Sequence, residues 1–272
     1  MKQFKIRCSG ISQIMTNSKG KSNLEIFEAT RKTIVADVER YEKMKTKDGI
    51  TGVKLLEKIK ANKVALPTLE ANKDIVVLSD SAKTYCENWV KQQLYDRQKN
   101  INSKYLQKGL VVEDNSLDFV ADQLGYGVLI KNEQFFQNEF LTGTPDAILP
   151  DHLIDVKNSW DAFTFPLFDT EVPNKDYFYQ AQGYMELTGR SSYKLIYTLM
   201  DTPEYLIEKE FTYNNFYELD YEQFKKDFVF TGIDEKLRIK VFEIKKDEEV
   251  IAAIKIRVAE CQSYINEILK QL

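Results

Sequence analysis

The chain has 272 residues, 43% hydrophobic and 29% charged, and its 38 basic against 42 acidic side chains leave a net charge of −4. That composition supplies a packed core and excludes disordered, collagen-like and coiled-coil chains. A single histidine, His152, and three scattered cysteines, Cys8, Cys86 and Cys261, exclude chemistry that needs several histidines, a four-cysteine iron–sulfur cluster or a Cys-x-x-Cys pair.

No apolar run reaches the roughly 18 residues of a membrane span, and the first residues lack an apolar signal segment. A soluble, cytoplasmic protein with no membrane contact is expected. Residues 25–47 and 53–62 read as amphipathic helices separated by the turn signal Asp48-Gly49-Ile50-Thr51-Gly52. The run Ile75-Val76-Val77-Leu78 ends at Ser79-Asp80-Ser81, which predicts the cap of a helix reaching about residue 98. Another helix is predicted over 103–124, stopped by Gly125 and Gly127. Short strands follow at 128–130, 135–141, 147–149 and 153–157, then a helix over 174–187 ended by Gly189. Strands are predicted at 193–199 and 205–211, and the C-terminal segments read as helical. The expectation is one α/β domain over residues 1–272, with core motifs at about 103–200 and helical additions at 1–102 and 212–272.

The chemistry gathers around Pro150-Asp151. If these two residues form the turn of a hairpin, Leu149 pairs with His152 and Asp146 stands opposite Asp155. Opposed Cβ atoms in an antiparallel pair lie about 4.5–5.5 Å apart. Two carboxylates that close oppose folding unless a cation sits between them; taken alone, the same residues also read as a solvated hairpin with scattered charges. Alternation along the strand puts Lys157 on the face of Asp155, and Ile154 and Val156 on the other. A divalent metal and an adjacent ammonium would together relieve the repulsion. On the 103–124 helix the apolar stripe is Leu106, Leu110, Leu117, Val120, Ala121 and Leu124, and Glu113 points along it; a rotated helix would turn Asp114 inward instead. On the 174–187 helix Tyr177, Gln180 and Tyr184 share one face, while Gln182 serves another surface. Gly183 in mid-helix costs about 1 kcal/mol relative to Ala, which is explained if something packs closely there.

Together these residues resemble the PD-(D/E)XK nuclease superfamily, within it the phage-recombination exonucleases of the lambda-exonuclease or YqaJ type and the RecB-type nuclease domains. Residues 104–113, ending at Glu113, are similar to the helix that carries the first acidic residue. Gly143-Thr144-Pro145-Asp146 is similar to the Gly-x-x-Asp strand, Ile154-Asp155-Val156-Lys157 to the (D/E)-x-K strand, and Tyr177-x2-Gln180-x3-Tyr184 to the Tyr/Gln helix of RecB-like members. The resemblance spans about a third of the chain. Arg7-Cys8-Ser9 resembles the Arg/Ser segment of phage exonucleases near the DNA end, and equally reads as an N-terminal turn. Gly20-Lys21-Ser22 ends like a phosphate loop, but Met15 stands where its first glycine belongs.

The resemblance implies a central mixed β-sheet flanked by helices, with one or two Mg²⁺ or Mn²⁺ ions. Asp146, Asp155 and the carbonyl of Val156 would hold one ion, with Glu113 helping to bind a second. Lys157 would orient water or stabilise the developing anion; Gln180 would position these groups, supported by Tyr184 and Tyr177, with Gln182 a secondary candidate. Hard oxygen donors suit Mg²⁺ independently of the family. Lys83, Lys91, Arg97, Lys99, Lys104 and Lys108 outnumber Glu87 and Asp96, so this strip either tracks a DNA backbone or is a solvated face. Trp160, Phe163 and Phe165 either stack on a nucleotide or pack inside. The activity implied is exonucleolytic hydrolysis of linear double-stranded DNA ends, 5′-to-3′, in recombination or repair. The alternatives are a structure-specific endonuclease and a non-catalytic DNA-end-binding module. Such exonucleases often form homo-oligomeric rings and work beside a single-strand annealing protein, and the sequence leaves both open.

Overall fold

The computed structural model describes residues 3–18, 21–75, 77–100, 102–213 and 220–272; Gly20 and Val76 lie outside them. In chain order the described residues form β1 (Ile6–Arg7), α1 (Ile11–Ile14), α2 (Asn23–Glu42), α3 (Ile50–Asn72), α4 (Asp80–Tyr95), α5 (Lys104–Leu124), β2 (Phe136–Gln137), β3 (Leu141–Gly143), β4 (Ala147–Ile148), β5 (Leu153–Asn158), α6 (Lys175–Thr188), β6 (Ser192–Thr198), α7 (Glu204–Tyr213), α8 (Tyr221–Lys225), β7 (Ile239–Lys245) and α9 (Glu248–Leu269).

Serine caps start three of the long helices. Ser22 shares a capping box with Glu25 at the start of α2, Ser79 Oγ accepts from the Ala82 amide (3.1 Å), and Ser103 Oγ from the Leu106 amide (3.2 Å). Each satisfies an amide the helix cannot pair internally. Gly125 ends α5 in the left-handed region at φ 69°, where a side chain would be strained. α2 and α3 pack chiefly against one another.

Two mixed sheets carry the strands. One has the order β1-β3-β2, the other β4-β5-β6-β7, with β5 and β6 parallel and both outer pairs antiparallel. The parallel pair requires a crossover, which α6 supplies. β5 is therefore an inner strand covered on both faces. Ile154 and Val156 pack with Leu117, Val120 and Ala121 of α5. Leu153 and Leu195 face the larger core formed with α1, α4, α6 and α9. Burying each large aliphatic side chain contributes about 1.5–3 kcal/mol, and a one-residue slip of β5 would reverse its two faces. The apolar residues thus fix the register, and the register carries Asp155 inside with them.

The mixed α/β architecture expected from the sequence is present, but several elements differ. Residues 128–130 form no strand; Leu129 is buried while Val128 and Ile130 are exposed. The predicted strand over 135–141 is broken into β2 and β3, because Asn138 Oδ1 takes the amides of Phe140 and Leu141 in a tight turn. Residues 205–211 are helical in α7, with Leu206 and Ile207 packed on Trp160 and Phe228. The second helix continues ten residues beyond 62, through Pro67, to Asn72. The two ends of the chain are not only helical, since β1 pairs with β3 and β7 completes the second sheet.

Candidate active site

The hairpin of β4 and β5 closes as the two-residue turn requires: the Leu149 amide donates to the His152 carbonyl (2.9 Å), and Ala147 and Ile148 pair with Ile154 and Leu153. Asp146 and Asp155 are the next opposed pair. The Val156 amide donates to Asp146 Oδ2 (3.0 Å), which aims that carboxylate across the hairpin. Asp155 is fully buried, and apart from an ion pair with Lys157 Nζ neither of its oxygens has a hydrogen-bond partner among the described residues. His152 is tied to Asp151 Oδ1 (2.7 Å) and the Tyr126 hydroxyl (3.1 Å) at the far end of the hairpin.

Electrostatics follow from this crowding. Burial, then the negative charge of Asp155, pushes the Asp146 carboxyl up to about 7. Burial works against the Lys157 ammonium, but the charges of Asp155 and Asp146 outweigh it and its pKa rises. The Lys157 Nζ also lies 5.1 Å from the centre of the Tyr177 ring, a cation–π distance. A buried carboxylate with unpaired oxygens costs several kcal/mol unless a cation satisfies it. Asp155 and Asp146 therefore fit a small divalent ion, with the main-chain oxygen of Val156 the further donor that the resemblance implies.

Glu113 stands apart from that pair. It is half-buried at the margin of α5, where Lys131 Nζ bonds its Oε2 (2.7 Å), and its charge reaches Asp146. Asp114 is exposed, so Glu113 is the inward residue of the two. α5 covers the Ile154/Val156 face, opposite to Asp155. Among the described residues no group of three His, Cys, Asp or Glu side chains is placed to hold one ion. The expected apolar stripe is also displaced. Leu106, Leu110 and Leu124 are exposed, and the buried line begins instead with Lys108, Val112 and Ser116.

From α6, Gln180 is buried and donates through Nε2 to the Tyr184 hydroxyl (3.2 Å). Burial, then the nearby Asp155 charge, raises the Tyr184 pKa. Close packing explains the glycines here. A Cβ on Gly143 would lie 2.5 Å from the Tyr184 ring, and one on Gly183 would lie 2.8 Å from Cys8 Sγ and 2.6 Å from Ile11 Cδ1. Gln182 does not support the site. Its Nε2 donates to the Lys245 carbonyl (2.9 Å) and its Oε1 accepts from the Asp247 amide (2.8 Å), joining α6 to the β7–α9 turn.

The expected DNA-contacting residues divide. Arg7, Ser9 and Lys99 are exposed. Lys108 is fully buried, its Nζ bonded to the carbonyls of Ser159 (2.6 Å) and Trp160 (3.1 Å), so it has no surface to offer a phosphate. Trp160 is buried against Leu206, Ile207 and Phe228. Lys104 pairs with Glu210 and lies 4.8 Å from the Trp160 ring centre, so much of its charge is already engaged. Of the three aromatics after β5, Trp160 and Phe165 are core and Phe163 is exposed.

No motif in the sequence marks Tyr193 as a site residue. It is fully buried on β6, its hydroxyl beside Asp155 without a well-formed hydrogen bond, and burial together with that charge raises its pKa far above the ordinary tyrosine range. Its place depends on the parallel register Leu153↔Tyr193, which nothing local in the sequence specifies.

No protein-family model matches the sequence, and neither does any curated protein. Among solved structures, the chain is similar to a phage-related exonuclease from Haemophilus somnus 129PT, with 25% identity and a TM-score of 0.69 over 99% of this chain and 97% of that one. An alkaline exonuclease from Laribacter hongkongensis, LHK-Exo, shares the fold at 19% identity and TM-score 0.50, over 73% of this chain and 88% of that one. LHK-Exo in complex with dAMP matches at 18% identity and TM-score 0.50, over 71% and 86% of the two chains.

Proposed function

We propose that this chain, which has the PD-(D/E)XK fold of the phage-related exonucleases it resembles, is a divalent-metal-dependent exonuclease acting on the ends of linear double-stranded DNA. Structural similarity to exonucleases over nearly the whole chain supports a nuclease. The observation that carries the finer reading is Asp155, fully buried opposite Asp146 with, among the described residues, only Lys157 to neutralise it. A folded protein retains so costly a group when an ion completes it. No helix among the described residues is long and apolar enough to cross a membrane.

In this reading Asp146, Asp155 and the Val156 carbonyl would hold Mg²⁺ or Mn²⁺, and Glu113, whose charge reaches Asp146, would help with a second cation. The bound ion supplies acidified water and charge stabilisation at the phosphate. Water adds to phosphorus as the bond to the leaving oxygen breaks, and a proton ends on that oxygen. Lys157, held charged by Asp155 and Asp146, stabilises the negative charge that develops on the phosphate. Gln180, braced by Tyr184, orients the phosphate or the attacking water beside Lys157. The 5′-to-3′ direction and a role in recombination or repair follow from the resemblance to phage exonucleases.

The test is linear duplex DNA labelled at either end, beside a covalently closed circle, with Mg²⁺ or with EDTA. Loss of the linear DNA alone, in Mg²⁺ alone, is expected, and the 5′ label should be released first. Cutting of the circle would replace the exonuclease by an endonuclease, and binding without cleavage would leave a DNA-end-binding module.

A further inference from the structure

The segment between β5 and α6 holds two kinds of aromatic residue. Trp160 and Phe165 are 4% and 7% exposed, whereas Phe163 and Phe168 are 95% and 90% exposed. Large apolar rings left almost wholly in water are informative, because burial is their default. The segment around them is fixed. Lys108 holds the carbonyls of Ser159 and Trp160, Asp161 Oδ1 accepts the amides of Phe163 (3.0 Å) and Thr164 (2.8 Å), and Lys240 Nζ donates to the Leu167 carbonyl (3.2 Å).

Phe163 and Phe168 flank a groove of about 320 Å³ whose lining includes Pro173, Asn174 and Tyr197. Among the described residues no basic side chain lines it, and Asp169 is its one charged residue. That lining disfavours a phosphate and suits an uncharged aromatic face. Asn174 uses its Oδ1 to cap α6, which leaves its amide nitrogen as a donor. Two contacts link the wall of the groove to the candidate catalytic centre: the Tyr197 ring meets the Tyr177 ring edge-on at 6.2 Å, and the Lys157 Nζ lies 5.1 Å from the Tyr177 ring centre.

We infer that this groove is a nucleobase subsite, stacking one base of the degraded strand next to the scissile phosphate. The inference rests on the nuclease reading above and adds to it a contact that positions the strand through a base. Stacking on aromatic rings is tolerant of sequence, so the subsite holds any base and loses its grip where a base is missing.

The experiment compares the parent chain with the double variant Phe163→Ala/Phe168→Ala on linear duplexes whose degraded strand ends normally or carries an abasic residue at its first or second nucleotide. Removing the rings should lower kcat/KM on normal ends on the order of tenfold. At one abasic position the parent should lose a similar factor, and the double variant should lose nothing more. A double variant as fast as the parent on normal ends, or losses that simply multiply, would overturn the subsite. The exposed rings contribute little packing, so the thermal midpoints of the two proteins should agree. If the parent cleaves no DNA in Mg²⁺ or Mn²⁺, the nuclease reading fails and the groove is judged separately. Fluorescence of a single-stranded oligonucleotide containing 2-aminopurine, in EDTA, should then be quenched by the parent and not by the double variant. Equal fluorescence with both would remove the subsite.

Discussion

Two lysines drawn inside near the end of β5 have opposite surroundings. Lys157 meets two carboxylates and stays charged; its pKa rises despite burial. Lys108 meets two main-chain carbonyls, with Asp201 and Asp161 acting only through their charge, and burial pushes its pKa down to about 7. The difference shows what each neighbourhood is built for. Around Lys157 two carboxylates share one ammonium, which in the proposed function would leave capacity for an ion and a phosphate. Around Lys108 the amine serves to tie α5 to the exit of β5, which anchors the segment that bears Phe163.

The largest break in this comparison is Lys157→Ala, expected to lower cleavage by about a thousandfold or more while the protein stays folded. Removing the ammonium leaves Asp155 buried and unpaired, so stability should also fall. Adding Asp155→Asn should restore stability and not cleavage, as read by denaturant melts beside an end-labelled digest.

Lys108→Ala should act the other way round. It strands two carbonyls and opens a cavity, for a loss of about 2–5 kcal/mol in unfolding free energy. Lys108→Met, which keeps the stem, should lose less. Chemical denaturation of the three proteins checks the order.

The pH dependence of Lys108 sharpens the contrast. Between its folded value of about 7 and the ordinary lysine value of 10.5, the unfolded chain holds a proton that the folded chain has released. This group therefore adds stability as pH rises across that window, by at most about 1.4 kcal/mol per pH unit. Below about pH 7 its burial penalty is fully present. The difference in unfolding free energy between the parent and Lys108→Met, followed from pH 6.5 to 9.5, should carry this slope.

The smallest effect expected is that of Gly143→Ala. The added methyl meets the Tyr184 ring, which must shift away from Gln180. A cost of about 1–3 kcal/mol is expected, with a fall in cleavage and no change in the Lys108 slope.

Much of the β4–β5 hairpin was legible because a two-residue turn and strict alternation leave one register. The cap at Ser79 and the stop at Gly125 were legible for a similar reason, since each rests on local hydrogen bonding or backbone geometry. Lys108 was not. It lies in a strip of basic residues, and only the carbonyls of Ser159 and Trp160, distant in sequence, account for its burial. The α7 segment reads as a strand from its aromatic and β-branched residues, yet Leu206 and Ile207 turn to one helical face on the Trp160 cluster. β7 carries a legible alternation in Phe242-Glu243-Ile244-Lys245, but the predominantly helical pattern around it obscured a strand that closes the sheet. Tyr193 depends on a parallel register set by the whole sheet, which no local pattern encodes.

The most direct measurement is a calorimetric titration of Mg²⁺ into the metal-free parent chain and into Asp155→Ala, each then assayed on end-labelled linear duplex. The account predicts that the parent binds Mg²⁺ and degrades the duplex, and that Asp155→Ala remains folded and does neither. An Asp155→Ala protein that cleaves at the parental rate would contradict it.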